Sequence, residues 1–242
     1  CATARRIAIP LIPKAKAEIK RMQMLDVIEP VDEPTDWCSP IVVVPKTNGD
    51  VRLCVDLTHV NKAVKRETYQ MPSVKTTINK IAAGSVYSKL DCNSGYFQLE
   101  LDEESRNMTT FITPFGRFRF KRLPYGISSG PEIFQKYMDE ALSDLPGVVV
   151  QMDDILVEGK DMAEHDERLR RVLDRLAELG LTLNMDKCII AQTKLDYLGQ
   201  MIDGGTIRKD PSKVEAVSNM SEPTNTTELR RFLGIVNQLM KF

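Results

Sequence analysis

Two adjacent carboxylates, Asp153 and Asp154, interrupt the apolar run VVVQMDDILV at residues 148–157. Aspartate is depleted in strands, and two carboxylates at contact distance raise one another's pKa, so the pair costs stability unless positive charge lies beside it. A divalent cation answers that need. Mg2+ takes one or two carboxylates plus water and substrate phosphates, and a pair of ions can activate a hydroxyl and stabilise a departing pyrophosphate. A third acid, Asp91, closes the strand-like run SVYSKLD. Asp91 and Asp153 are the expected metal ligands. Asp154, alternating to the other face of a strand, either completes the shell through a sharp reversal or orients its neighbours. An aspartate pair at a strand reversal is, by itself, more often a solvated turn, so the surrounding elements decide the matter.

Those elements follow from period and punctuation. Pro13 and the following AKAEIKRMQMLDVIE predict a helix that ends before Pro30, and SPIVVVPKTNGDVRLCVDL predicts a hairpin turning at Asn48, Gly49 and Asp50. MPSVKTTINKIAAG has apolar residues at helical spacing, stopped by Gly84, and SVYSKLD alternates as a strand. TTFITPFGRFRFKRL is a second hairpin, SGPEIFQKYMDEALSDLPG a helix, and VVVQMDDILVEG a strand, a tight reversal and a strand. A long helix follows, with an apolar stripe of Leu169, Val172, Leu173, Leu176 and Leu179 and a stop at Gly180; LDYLGQMIDGGTI is a last hairpin around Gly204 and Gly205. Apart from the hairpin insertion near 99–128, the order from residue 85 is strand, helix, strand, strand, helix, strand. This is the split β-α-β-β-α-β plan of an α+β domain, which can bring Asp91 beside Asp153 and Asp154. The tail, DPSKVEAVSNMSEPTNTTELRRFLGIVNQLMKF, reads as two helices around a polar linker, with Asn225 and Glu228 as a capping box.

With 242 residues, 42% of them hydrophobic and 28% charged, the chain can build a core, and disorder is not expected. No apolar run is long enough to span a bilayer and no signal peptide opens the chain, so an intracellular protein without a membrane partner is the expectation. A start at Cys1 and an abrupt stop at Phe242 suggest a segment of a longer polypeptide. The five cysteines are odd in number and lack CxxC spacing, which argues against a disulfide framework or a zinc site and for reduced, mostly buried thiols. The net charge of −1 conceals basic clusters at Arg5–Arg21 and at Arg117–Arg122. Affinity for phosphates follows local patches rather than net charge. His59 and His165 fit no catalytic role and are expected on the surface.

SKLDCNSGYFQL, ITPFGRFRFKRLPYGISSGPEIFQKYM, VVVQMDDILV and LDYLGQMI, in that order, resemble the successive motifs of reverse transcriptases of gypsy-class LTR retrotransposons. WCSPIVVVPKTNGDVRLCVDLTHVNK upstream and ELRRFLGIVNQLMKF downstream extend the resemblance over nearly the whole chain. It implies a right-hand polymerase with a ferredoxin-like palm: fingers at 1–66 and 99–129, palm at 67–98 and 130–205, and the start of a helical thumb at 206–242. It implies two Mg2+ ions, with Mn2+ as a substitute, held by Asp91, Asp153 and Asp154. The partners it implies are an RNA or DNA template-primer and dNTPs, with RNase H and integrase modules elsewhere on the same polyprotein and a cytoplasmic virus-like particle as the setting.

Residue by residue, the resemblance places Arg52 and Lys46 on the incoming triphosphate, where the planar fork of an arginine suits phosphate oxygens. Lys187 resembles the lysine near the leaving pyrophosphate. Tyr96 matches the aromatic that rejects ribonucleotides by crowding the 2′-hydroxyl, and Tyr125 and Gly126 lie beneath the nucleotide. Arg117, Arg119 and Lys121 share one face of GRFRFKR, which the resemblance aims at template phosphates, with Phe118 and Phe120 on the other face. Gln151 and Met152, and Tyr197, Leu198 and Gly199 of a primer-grip hairpin, complete the template-primer contacts. Gln151 replaces a common aromatic and Thr58 a common arginine; neither change removes the acids. The alternative is a catalytically silent relic that binds nucleic acid. An RNA-templated RNA polymerase is disfavoured by the bulk of Tyr96.

Overall fold

The computed structural model describes residues 3–46, 49–81, 84–209, 217 and 219–240. Its strands in chain order are β1 (Ile28–Pro30), β2 (Ser39–Pro45), β3 (Val51–Val55), β4 (Val86–Asp91), β5 (Phe111–Thr113), β6 (Gly116–Phe120), β7 (Val148–Gln151), β8 (Asp154–Gly159), β9 (Ile189–Gln192), β10 (Lys194–Tyr197), β11 (Gln200–Asp203) and β12 (Thr206–Lys209). The described helices are α1 (Ile12–Met24), α2 (Thr58–Ala63), α3 (Val74–Ile78), α4 (Glu103–Met108), α5 (Gly130–Leu142), α6 (Met162–Glu178) and α7 (Thr226–Met240). Two compact units share them: residues 1–70 with 94–137, and residues 71–93 with 138–242.

In the first unit a five-stranded sheet has the order β1-β6-β5-β2-β3, with β2 and β5 parallel and the other neighbours antiparallel. Its core gathers Ile19 and Met22 of α1 with Ile28, Ile41, Phe111, Phe118 and Phe120. Fully burying each such side chain contributes about 1.5–3 kcal/mol. The first helix is shorter than its sequence predicts. Asp26, at φ +54, breaks it, and the chain turns directly into β1, where Val27 and Ile28 are buried.

Along the chain β4, α5, β7, β8, α6 and β9 keep the expected order, with residues 130–137 of α5 in the first unit and the rest in the second, and the second unit's antiparallel sheet has the order β7-β8-β4-β9. β4 is internal and covered on both faces, which explains why five of its six residues are buried. The fourth strand is Ile189–Gln192 rather than part of LDYLGQM. That later segment builds a separate three-stranded sheet, β10-β11-β12, whose Leu195, Tyr197 and Ile202 pack on Tyr87, Val149 and Leu156.

Several other expectations are corrected. The buried stripe of α6 is His165, Val172 and Leu176, while Leu173 and Leu179 are 42% and 40% exposed. His165 is fully buried, because its register on α6 faces the sheet and Ser88 supplies a polar partner. α3 spans only Val74–Ile78, with Ser73 as its cap. Cys38, Cys54, Cys92 and Cys188 are free thiols, but only Cys92 is buried. Asn225 does cap α7: its Oδ1 accepts from the Glu228 N–H at 2.9 Å, and Glu228 accepts from the Thr224 N–H. Cys1, the Asn48 turn position and most of the first tail helix lie outside the described residues.

Candidate active site

The acids converge at one end of the second unit's sheet. Asp91 on β4 pairs in register with Asp154 on β8, which in turn pairs with Gln151 on β7. Cross-strand partners project from the same face, so the pleat sets Gln151, Asp154 and Asp91 in one row. Met152 and Asp153 form the two-residue loop between β7 and β8. Met152 adopts φ +57, a conformation that side-chain-bearing residues seldom take. The Cys92 N–H donates to the Asp153 carbonyl at 2.9 Å, pinning the loop to the continuation of β4.

Lysines answer this negative charge. Lys89, two residues before Asp91 and on the same face, reaches Asp154 diagonally at 3.1 Å. The Asn184 N–H donates to the Asp91 carbonyl at 2.9 Å, and the short turn that follows brings Lys187 Nζ to 3.1 and 3.2 Å from the two Asp91 oxygens. Burial, chiefly, holds the Asp154 carboxyl above its ordinary range; Lys89 opposes this, and Asp153 and Asp91 add repulsion. Burial, followed by Asp153 and Asp91, pushes the Cys92 thiol up to about 12. The hydrogen bond to Asp91 raises the Lys187 ammonium.

Among the described residues no three carboxylate, thiol or imidazole groups are gathered tightly enough to cage an ion alone. The donors nonetheless fit a hard cation. They are carboxylate oxygens whose mutual repulsion shows at Asp154 and Cys92, and Mg2+ needs only one or two of them beside water and phosphate.

The remaining expected residues fall into two groups. In the second unit, Tyr197 is fully buried, with its hydroxyl near the carbonyls of Asp154 (3.2 Å) and Val149 (3.4 Å), so its ring supports the acids from below rather than facing outward. Leu198 and Gly199, at φ +52 and +76, form the β10–β11 turn. Gln151 is held by Thr77 Oγ1, which donates to its Oε1 at 2.6 Å.

In the first unit, Arg52 is exposed on β3 opposite Val44, and the Lys46 N–H donates to the Asp50 carbonyl to close the ribbon. Tyr96 and Tyr125 stack with ring centroids 4.9 Å apart. Gly126 takes φ +100 with only ordinary contacts around a built Cβ, so the backbone conformation, not lack of space, calls for glycine there. The basic face of β6 is largely neutralised: Arg119 pairs with Glu29 at 2.6 Å and Glu103 at 2.8 Å, and Lys121 with Asp26 at 2.6 Å. Arg117 donates to the Asp32 carbonyl at 2.9 Å. Sequence reasoning missed Lys89 and Thr77. The i−2 strand spacing of Lys89 from Asp91 was the available signal; Thr77 gave none.

The profile of the reverse transcriptase (RNA-dependent DNA polymerase) family matches residues 44–202. The chain belongs to the reverse transcriptase family. This reverse transcriptase segment is 34% identical over 241 residues to an uncharacterized protein of Caenorhabditis elegans, covering 98% of this chain and 19% of that protein. It is also 34% identical over 236 residues to the retrovirus-related Pol polyprotein from transposon opus of Drosophila melanogaster, covering 95% of this chain and 23% of the relative. The chain thus spans about a fifth of the length of these curated relatives, and its kinship is with retrotransposon polyproteins. A foamy viral protease-reverse transcriptase in complex with dsDNA shares the reverse transcriptase fold at a TM-score of 0.87 and 23% identity, over 98% of this chain and 49% of that one. The same viral enzyme in complex with an RNA/DNA hybrid superposes at 0.84 and 22% identity, over 98% and 32%. The expected polymerase fold class is borne out.

Proposed function

We propose that this chain is the polymerase module of a gypsy-class element, adding deoxynucleotides to a primer on an RNA or DNA template. The observation that carries the reading is the register of Asp91 with Asp154 beside the Met152–Asp153 loop. In this reading 1–66 and 99–129 are fingers, 67–98 and 130–205 palm, and 206–242 the start of the thumb. Asp91, Asp153 and Asp154 hold two Mg2+ ions, with Lys89 keeping Asp154 oriented. The bound ions supply Lewis acidity toward the primer 3′-hydroxyl and neutralise triphosphate charge. Lys187 acts near the departing pyrophosphate, Arg52 and Lys46 take phosphate oxygens, and Tyr96, Tyr125 and Gly126 receive the sugar and base. Arg117, Arg119 and Lys121 meet template phosphates, Arg119 and Lys121 by exchanging their present acidic partners and Arg117 by leaving the Asp32 carbonyl, while Met152, Leu198 and Gly199 face the primer. RNase H and integrase modules of the same polyprotein, and a cytoplasmic virus-like particle, complete the setting.

Among the described residues no helix is long and apolar enough to cross a membrane. The three acids speak for an active enzyme over a silent relic. Primer extension with dNTPs on RNA and DNA templates tests this. Asp153→Asn should cut extension by more than about a hundredfold. Unchanged extension by that variant sinks the two-metal reading, and template binding without any extension by the unaltered chain favours the relic.

A further inference from the structure

Tyr96 does not stand alone. Its ring stacks on Tyr125 at 4.9 Å and 21°, and Phe134, fully buried, packs against it at 5.4 Å. Tyr125 in turn meets Phe97 edge-on at 5.1 Å, and Phe97 stacks on buried Phe120 at 6.1 Å. Four rings therefore run in series from Phe120 in the core of the first unit to Tyr96, and Phe134 backs Tyr96 as a fifth. The backbone makes room for them. A Cβ on Gly95 would come within 2.8 Å of Phe134 Cζ. Tyr125 is the most exposed member, at 53%, so a ladder anchored at its two ends by buried Phe120 and Phe134 presents its middle ring to solvent.

A ring rejects a ribose hydroxyl by steric clash only to the extent that it cannot swing aside, because the discrimination cannot exceed the cost of displacing it. Phe134 blocks one direction, and the stack on Tyr125 opposes movement in another. We infer that Tyr125 is a specificity-positioning residue: by stacking on Tyr96 it stiffens the wall that excludes the 2′-hydroxyl, and so sets the preference for deoxyribonucleoside over ribonucleoside triphosphates. The inference rests on the polymerase reading above. An aromatic pair of this geometry corresponds to about a two- to tenfold effect.

The test is the ratio of kcat/KM for dNTP and rNTP incorporation in the unaltered chain and in Tyr125→Leu, Tyr125→Phe, Tyr96→Ala and the double variant Tyr96→Ala/Tyr125→Leu. Tyr125→Leu should lower the ratio about two- to tenfold, mainly by raising ribonucleotide kcat/KM, and Tyr125→Phe should keep it, since the stack survives without the hydroxyl. In the Tyr96→Ala background Tyr125→Leu should leave the ratio unmoved, which a general structural role of Tyr125 does not predict. Fluorotyrosine at position 96 gives a readout without catalysis: its fluorine resonance should report a freer ring in Tyr125→Leu. An unaltered chain that extends primers, with a ratio that Tyr125→Leu leaves alone or shifts equally in both backgrounds, overturns this inference only. A chain that extends no primer overturns the polymerase reading and this inference with it.

Discussion

Lys187 Nζ lies 3.1 and 3.2 Å from the two carboxylate oxygens of Asp91, a residue only 8% exposed. One ammonium thus occupies both oxygens of an acid proposed to hold a divalent ion, and lysine and ion compete for it. Without the lysine, Asp91 would face Asp153 and Asp154 with Lys89, which pairs with Asp154, offsetting only part of the charge. Lys187→Met should therefore lose about 1 kcal/mol in chelator, a modest figure because the lysine side chain is itself well solvated. Added Mg2+ should then raise the melting temperature of the variant more than that of the unaltered chain. Calorimetry with and without Mg2+ checks this, and equal shifts in both proteins would sink it.

Gln151 is held at both ends of its side-chain amide. Thr77 Oγ1 donates to its Oε1 at 2.6 Å and its Nε2 donates to the Pro72 carbonyl at 3.4 Å, tying the β7–β8 reversal to the segment before β4. Thr77 is 1% exposed. Thr77→Val and Gln151→Ala should each cost about 1–2 kcal/mol. Together they should cost less than the sum, by about 0.5 kcal/mol or more, and Thr77→Ser should restore most of the loss. Strictly additive denaturation free energies would mean that the bond contributes nothing.

The β-α-β-β-α-β order was readable because each element carries its own period and punctuation, and the Asp91–Asp154 register follows once β4 and β8 are adjacent. Hydrophobic patterning misled where a polar residue was buried. On α6 the apolar residues Leu173 and Leu179 drew the stripe toward solvent, whereas the buried line begins at His165. β9 escaped notice because IIAQ is short and three of its four residues are exposed. The basic face of GRFRFKR was legible as a face. Its neutralisation was not, because Glu29 and Asp26 are brought to it by the β1–β6 pairing, which no local pattern encodes.

His165 closes a chain of hydrogen bonds. A carboxylate oxygen only accepts, so His165 Nδ1 carries a ring hydrogen toward Asp166 Oδ1 at 2.9 Å, while Nε2 lies 2.8 Å from Ser88 Oγ, which accepts the Ala191 N–H at 2.9 Å. Ala191 is held at φ +52 where the β4–β9 register shifts. His165→Ala should cost about 2–4 kcal/mol through cavity and lost acceptor together, and Ser88→Ala about 1–2 kcal/mol. Urea denaturation at neutral pH measures both. A loss below about 0.5 kcal/mol for His165→Ala contradicts a packed, hydrogen-bonded imidazole.

Arg175 near the end of α6 donates to the Ala141 carbonyl at 2.6 Å and grips both Asp144 oxygens at 3.1 and 3.0 Å, joining the C-terminal end of α5 to α6. That guanidinium holds the Asp144 carboxyl below its ordinary range. A carboxylate with a depressed folded-state pKa contributes stability above its unfolded-state pKa and loses it as pH falls through the folded value. Asp144→Asn keeps the shape and leaves Arg175 its bond to Ala141, but removes the titration. The variant should be less stable than the unaltered chain at neutral pH. The gap should narrow as pH falls below about 4 and close once both states bind the proton. Urea midpoints measured for the two proteins from neutral to acid pH provide the comparison. A gap that stays constant or widens toward acid pH would show that Asp144 stabilises the helix junction by something other than its charge.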